Sequence, residues 1–336
     1  MRNPQRRWGR ILVATVAAAV GLTLAACGQV QDSSTPSGGS ADGAAASATV
    51  DTLFGPVTVP ANPQRVVALG WSDAEAALAL GVQPVAVSDW LAFGGKGVGP
   101  WAAERFTSTP TILPTLELNY EQISSLNPDL ILNTRSDNTK EKFDELSKIA
   151  PTVSAPPGVT VQYGTTWQQQ TSQVAAALGK KDEGDELIAD VDASFDAAES
   201  ANPNFAGKTV GVGAFFSDSY GAYVQGDSRV DFLESLGFTN KPEIQAQAAG
   251  GSFYVSLARE NIEQLSADLT IIFPIGGDAS PLKADPVLNQ IPAAQAGHLL
   301  ILEDPTLINA FSSGSTLGTQ YAIDNAVPLI KAKTAA

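Results

Sequence analysis

The sequence predicts an α/β fold of two lobes, each on a central, largely parallel sheet, joined by one long connecting helix. Three observations predict it. Short apolar runs bounded by turn residues alternate with helical stretches along most of the chain, the pattern of successive βαβ units. Residues 166–202 are helical in pattern and hold no strand. A phrase also recurs: residues 121–132 read EQISSLNPDLIL and residues 260–271 read ENIEQLSADLTI, 139 positions apart. Both fit E-x-I-x-x-L-x-x-D-L-x-[LI]. A generic helix–turn–strand unit demands the apolar positions but not the Glu and Asp.

The elements follow in order. Arg65-Val66-Val67-Ala68-Leu69 reads as a buried strand ending at Gly70. Asp73 to Leu80 reads as a helix with Ser72 as N-cap and Gly81 closing it. Pro84 to Val87 is a second strand, Glu121 to Leu126 a short helix, and Asp129 to Leu132 a strand. Lys140 to Ile149 is a helix and Pro151 to Val153 a strand. In the connecting block, Gly179 and Gly184 interrupt a stripe of Val174, Leu178, Leu187, Ile188, Val191 and Phe195 at i, i+3, i+4 spacing. After Asn202-Pro203 the alternation resumes. Strands are expected over Thr209–Phe216, Asp268–Phe273 and His298–Leu302, with helices over Val230–Leu236, Pro286–Ala294 and Leu317–Lys331. The divisions are therefore a first lobe over 51–165, the connecting helix over 166–202 and a second lobe over 203–336. A length of 336 residues suits two domains at roughly 100–200 residues each.

Composition excludes several functions. One His and one Cys cannot form a His/Cys zinc site or an iron–sulfur site. No disulfide can form within the chain. A net charge of -15 argues against a nucleic-acid binder. A hydrolase would need His298 as base or a carboxylate pair. Asp73 and Glu75 lie two apart on a helix, so their side chains share no face. There is no G-x-S-x-G elbow, and Gly94-Gly95-Lys96-Gly97 lacks the phosphate-loop spacing. An enzyme is not expected, His298 is assigned a structural role, and no cofactor is expected. Among metal-ion binders that use His and carboxylates, one His is too few.

The first residues read as a signal. MRNPQRRWGR carries four Arg and no acid, and residues 11–26 are continuously apolar. Leu24-Ala25-Ala26-Cys27-Gly28 resembles a bacterial lipobox, which implies cleavage after residue 26 and a diacylated Cys27. An ordinary signal peptide with an incidental Cys is the alternative. Cleavage leaves 16 basic and 35 acidic side chains, a net of -19. Residues 27–50, rich in Gly, Ser and Ala, read as a flexible tether. The expected place is outside the cell, held to the membrane by acyl chains alone.

Several phrases carry a wider resemblance. They are Asn62-Pro63-Gln64-Arg65-Val66-Val67-Ala68-Leu69; Leu78-Ala79-Leu80-Gly81-Val82-Gln83-Pro84-Val85; Asn119-Tyr120-Glu121 with Leu126-Asn127-Pro128-Asp129-Leu130-Ile131; Leu146-Ser147-Lys148-Ile149-Ala150-Pro151-Thr152-Val153; and Ser256 to Glu260 with Leu265 and Asp268. Over about residues 53–333 the chain resembles the substrate-binding lipoproteins of iron–siderophore, haem and cobalamin import. The resemblance implies a class III periplasmic-binding fold of two Rossmann-like lobes, with ligand in the cleft between them. It implies a monomer that binds a ferric siderophore and delivers it to a dimeric ABC permease and its ATPase. It also implies that Glu121 and Glu260 dock onto arginines of the two permease subunits. Two equivalent carboxylates suit a two-fold symmetric partner. Each Glu would equally sit well in the first turn of a helix.

Ligands of α/β sheets sit beyond the carboxyl ends of strands. That rule selects Trp71, Trp90, Arg135, Tyr220 and Tyr223, each following an expected strand. Trp101 and Arg105 on the Gly-rich segment after Trp90, Arg229 at a helix start, and Tyr254 complete the candidate ligand set. Aromatics would cover the linker carbons of a siderophore, and Arg would hold chelate oxygens, the iron arriving already wrapped. Tyr220, Tyr223 and Tyr254 keep haem open, and cobalamin stays open. Some of these aromatics would alternatively be core, with Arg105 and Arg229 solvated or paired with Glu104 and Asp231.

Overall fold

The computed structural model describes residues 47–250 and 252–334. The expected signal segment, Cys27 and the tether up to residue 46 lie outside the described residues.

The chain opens with an antiparallel hairpin of β1 (Ala48–Thr52) and β2 (Gly55–Val59). The body thus begins inside the stretch expected to be tether. Then come β3 (Val66–Ala68), α1 (Asp73–Ala79), β4 (Ala86–Ser88), α2 (Pro100–Ala103), β5 (Thr111–Leu113), α3 (Tyr120–Ser125), β6 (Leu130–Asn133), α4 (Lys140–Ser147) and β7 (Thr152–Ser154). The five strands β3 to β7 form one sheet in the order β5-β4-β3-β6-β7, parallel throughout. Buried on both faces, β3 and β6 read as unbroken apolar runs rather than alternating ones.

The block expected to be one helix is two, α5 (Trp167–Ala177) and α6 (Lys181–Ala201). Gly179, at φ +68°, ends α5 in a Schellman turn. Lys180 N donates to Ala175 O (2.8 Å) and Gly179 N to Ala176 O (3.3 Å). Gly184 does not interrupt α6. A Cβ there would lie 2.4 Å from Ala175 Cβ, so the bare position lets α6 close onto α5. Val174 and Leu178 of α5 join the core of the first sheet, with Leu187 packed against it. Val191 and Phe195 of α6 join the core of the second, with Ile188 against it. One apolar stripe therefore serves two cores, and α6 alone is the long connecting helix.

The second half contains β8 (Thr209–Phe216), β9 (Ser219–Tyr223), α7 (Ser228–Glu234), β10 (Thr239–Asn240), α8 (Pro242–Gln245), β11 (Tyr254–Leu257) and β12 (Leu269–Pro274). It ends with α9 (Ser280–Ala284), α10 (Pro292–Gln295), β13 (Leu299–Ile301), α11 (Pro305–Ser313) and α12 (Thr316–Thr334). Strands β10, β8, β12 and β13 are parallel, whereas β9 pairs antiparallel with β8 and β11 antiparallel with β9 at the sheet edge. The expected helix over Pro286–Ala294 is instead a 3-10 turn, Leu288–Gln290, followed by α10. Residues Arg259–Leu265, the second copy of the repeat, form a 3-10 helix where the first copy forms α3.

The strand orders locate the functional end. In the first sheet the chain runs outward from β3 through β4 to β5, then returns to β6, so the order reverses between β3 and β6. In the second it reverses between β8 and β12. Such switch points leave a crevice at the carboxyl ends of the strands.

Candidate functional site

A cavity of about 590 Å³ lies at these strand ends. The first half lines it with Trp71, after β3, and Leu116, after β5. The second half contributes Ala214 and Phe216 of β8, Ser219, Tyr220, Gly221 and Tyr223 of β9, Phe253, Tyr254 and Ser256 at β11, and Ile275 after β12. Among the described residues six large hydrophobic side chains are exposed, and Leu116 (75 %), Phe216 (58 %), Tyr254 (46 %) and Ile275 (43 %) all line this cavity. Apolar exposure gathered at one concave place marks a binding surface.

An aromatic stack crosses from one half to the other. Trp71 stacks on Trp90 (4.3 Å between centroids, 9° between planes) and on Tyr163 (3.9 Å, 23°). Tyr163 meets Phe253 edge-on at 6.3 Å, and Phe253 lies 5.2 Å from Tyr254. Each such pair contributes about 0.5–1.5 kcal/mol beyond area burial. Backbone geometry sets Trp71 in place. A Cβ on Gly70 would lie 2.2 Å from Asp73 Oδ2 and 2.9 Å from Arg135 N, so only glycine lets β3 turn this tightly. Trp71 N then donates to Arg135 O (2.8 Å). Tyr163, absent from the sequence-based set, sits at φ +57° with its N donating to Ser136 O (2.7 Å).

The expected cations do not face the cavity. Arg135 is buried; its Nε donates to Tyr163 O (2.9 Å) and its Nη1 to Ser313 O (2.9 Å) and Gly314 O (3.4 Å). Burial pulls this guanidinium down to about 10, still protonated at neutral pH. It lies 5.8 Å from the Trp90 ring, behind the stack. Arg229 is buried too, paired with Asp227 (2.8 Å), donating to Ser312 Oγ (3.0 Å) and lying 4.2 Å over the Tyr223 ring. Its pairing with Asp227 corrects the expected partner Asp231. Arg105 is exposed and does not line the cavity. Trp101 does not line it either: its Nε1 donates to Glu75 Oε2 (2.8 Å) and its ring packs on Phe93 and Tyr321. Of the nine candidate ligand residues the structure brings Trp71, Tyr220, Tyr223 and Tyr254 to the cavity, with Trp90 stacked behind Trp71. The lining residues Leu116, Phe216 and Ile275 were missed, although Phe216 and Ile275 follow the same strand-end rule.

The buried polar groups hold the halves together. Ser72 holds the N-cap position of α1 as expected, but its side chain does not cap the helix. At φ +65° it makes no cap bond, and its Oγ donates to Ser313 O (2.6 Å). Asp73 accepts from Thr134 N (2.9 Å), Thr134 Oγ1 and Gln170 Nε2 (2.6 Å). Glu75 accepts from Gly99 N (3.1 Å), Trp101 Nε1 and Ser315 Oγ. Burial raises both carboxyls above the ordinary range. Segment 312–315, the last residues of α11 and the turn into α12, thus bonds Ser72, Glu75 and Arg135 of the first half and Ser228 and Arg229 of the second. It is a clasp. Tyr220 anchors the cavity floor, donating to Asp285 Oδ2 (2.5 Å), which also takes Arg259 in two bonds of 2.9 and 2.7 Å. His298 lies elsewhere, its Nδ1 2.7 Å from Lys333 O.

The repeat divides into packing and remainder. Ile123 and Ile262 are buried, as are Leu130 and Leu269. Asp129 accepts from Gln64 N (2.6 Å) and Arg65 N (2.8 Å) at the start of β3. Asp268 accepts from Thr209 N (2.7 Å) at the start of β8. Each repeated Asp therefore ties down the first parallel strand of its own half. Glu121 and Glu260 are exposed and make no hydrogen bond or ion pair among the described residues.

Comparison with known proteins agrees with this architecture. A relative in Bacillus subtilis, "Probable siderophore-binding lipoprotein YfiY", is 32 % identical over 228 residues, 66 % of this chain and 66 % of that one, just under two thirds of its length. The Fe(3+)-citrate-binding protein YfmC of the same organism is 27 % identical over 249 residues, 73 % of this chain and 75 % of that one. The crystal structure of Streptococcus pneumoniae PiaA in complex with ferrichrome superposes with a TM-score of 0.71 at 28 % identity, covering 85 % of this chain and 98 % of that one. The model of the family described as periplasmic binding protein matches residues 66–306, and the chain belongs to that family.

Proposed function

We propose that this chain captures a ferric siderophore in the aromatic cavity between its sheets and delivers it to an ABC import permease. The observation that carries this is the cavity itself: about 590 Å³, supplied by both halves at both switch points, and walled by aromatic and aliphatic side chains. A chelate with a carbon-rich exterior fits such walls, and the protein need supply no metal ligand. No group of three or more His, Cys, Asp or Glu among the described residues is placed to hold a metal ion. Asp73 and Glu75, the carboxylate pair considered from sequence, are held in hydrogen bonds and do not line the cavity. The relatives named for siderophore and ferric citrate binding, and PiaA with ferrichrome, support the ligand class.

Delivery rests on Glu121 and Glu260. Packing accounts for the repeated apolar positions and backbone hydrogen bonds for the repeated Asp, whereas these two carboxylates remain exposed in both halves. They are the docking points for a two-fold permease. Lipidation at Cys27 would hold a monomer outside the membrane, as the lipoprotein name of the YfiY relative supports. No helix among the described residues is long and apolar enough to cross a membrane.

Titrating ferric siderophores, haem and cobalamin separately while following tryptophan fluorescence tests the ligand. A ferric siderophore should quench the Trp71–Trp90 pair, and Trp71→Ala should weaken binding by about tenfold, the loss of one aromatic contact. The reading fails if only haem or cobalamin binds, or if the variant binds as wild type does. Reversing both docking charges with Glu121→Arg and Glu260→Arg should abolish uptake and leave affinity unchanged. Surviving uptake, or affinity falling in parallel, would remove the docking assignment.

A further inference from the structure

Resting on the reading of the cavity as a siderophore site, we infer that it selects ferric chelates without net negative charge, the tris-hydroxamate class, over trianionic tris-catecholate and anionic citrate-type chelates. Three hydroxamates carry three negative charges and cancel Fe³⁺. Three doubly ionised catecholates leave a complex of charge −3. The two classes therefore make opposite demands on the protein.

No charged side chain lines the cavity among the described residues; its polar side-chain groups are the Ser219, Ser256, Tyr223 and Tyr254 hydroxyls and the Trp71 indole N–H, the Tyr220 hydroxyl being taken by Asp285. The neighbouring cations lie off the wall of this cavity. Arg229 is paired with Asp227 at 2.8 Å. Lys142, in a small cavity that shares Trp71, is paired with Asp137 at 2.7 Å. Arg135 lines that same small cavity rather than this one, and its Nε and Nη1 donate to three backbone carbonyls. Asp227 and Asp231 act electrostatically on Arg135, each favouring its charged form. The exposed charges that flank the lining in sequence, Glu117 and Asp218, are both acidic. A trianion entering here would lose water and find no cation on the cavity wall, while the residues beside Leu116 and Ser219 in sequence carry like charge. A neutral chelate needs only its hydrogen-bond acceptors met, and its carbon arms bury against Trp71, Phe216, Tyr254 and Ile275.

Equilibrium titration of the wild-type protein at pH 7 in 0.15 M salt tests this, using a neutral ferric tris-hydroxamate, a ferric tris-catecholate and ferric citrate. The tris-hydroxamate should bind at least about 100-fold more tightly than either anion, the consequence of about two unmet charge contacts. Ser256→Arg, at an exposed position of the lining, should narrow that ratio by about tenfold through tighter binding of the catecholate. Catecholate or citrate binding within tenfold of the hydroxamate overturns the inference while leaving the siderophore reading intact. Absence of binding by all three overturns the siderophore reading itself, and the inference falls with it.

Discussion

Replacing Gly314 with alanine should loosen the clasp that joins the two halves. Gly314 ends α11 at φ 53°, in the left-handed region, where a Cβ costs about 1 kcal/mol. The Cβ would lie 2.2 Å from Arg135 Nη1, 3.1 Å from Arg135 Cζ and 3.0 Å from Ser228 Cβ. A flexible side chain could swing away at little cost, but Arg135 cannot. It is buried, and its Nε is held by Tyr163 O (2.9 Å). Withdrawing Nη1 strands a charged donor that now meets Ser313 O (2.9 Å), a loss of about 2–3 kcal/mol for a buried charged hydrogen bond. Ser313 O keeps Ser72 Oγ (2.6 Å), so only one side of that bond is orphaned. The sum is about 3–4 kcal/mol. Urea denaturation at pH 7 measures it, and Arg135→Met supplies the control. Because methionine has no guanidinium to collide with, Gly314→Ala should cost at least about 1 kcal/mol less in that background. A loss below about 1 kcal/mol in the single variant, or simple additivity in the double, would show that Arg135 moves freely and that the clasp is not rigid.

Three further outcomes follow from single positions. Gly211→Ala should cost more than about 3 kcal/mol or prevent folding, since its Cβ would lie 2.1 Å from Leu265 O, a backbone atom with no rotamer to escape into; Gly277→Ala, with nothing within 4 Å, should be silent in the same melt. Burial raises the Asp231 carboxyl to about 6, with Asp227 and Glu234 adding to the rise. The folded state then holds the proton more tightly than the unfolded chain, so stability falls as pH rises from about 4 to about 6. Asp231→Asn should gain up to about 3 kcal/mol at pH 7, and the gain should vanish below about pH 4; a gain that persists at pH 3 would refute it. Tyr220→Phe should cost about 1.5–3 kcal/mol because it strips a donor from buried Asp285, whereas Arg259→Ala, half exposed, should cost at most about 1. Arg259 holds the Asp285 carboxyl near 2, so its contribution should be present above about pH 4 and lost as pH falls toward 2.

Most of the parallel strands and the helical character of residues 166–202 were legible because continuous apolar runs and a 3.6-residue stripe survive any surrounding, whereas the short β5 and β10 were not. The antiparallel β9 was not. Its turn from β8 places Ser217 at φ 48° and Asp218 at φ 61°, a two-residue hairpin made without the Asn-Gly that marks one in sequence. The aromatics of β9 therefore read as loop residues, although two of them face the cavity. Helix α11 was missed despite its signals: Asp304 accepts from Thr306 N (2.9 Å) as N-cap, with Pro305 at the first position. Tyr163 had no signal. It reaches Trp71 through a left-handed backbone and a bond from Arg135, neither of which its neighbours in sequence announce.

Arginine placement explains why the cavity residues were only partly legible. The strand-end rule marks where irregular backbone from distant segments converges, and it marks cations and aromatics alike. The two do different work there. Loops that meet across a seam leave carbonyls outside any sheet or helix, and a buried carbonyl needs a donor. Arg135 supplies three such bonds, to Tyr163, Ser313 and Gly314. Arg229 balances Asp227 and fixes Ser312. Held by these bonds, neither guanidinium lines the cavity. Trp71, Tyr254 and Phe216 have few or no donors to commit, so their faces stay available to a ligand. In a chain of net charge -15, the arginines at this seam serve the fold, and the recognition surface is left to carbon.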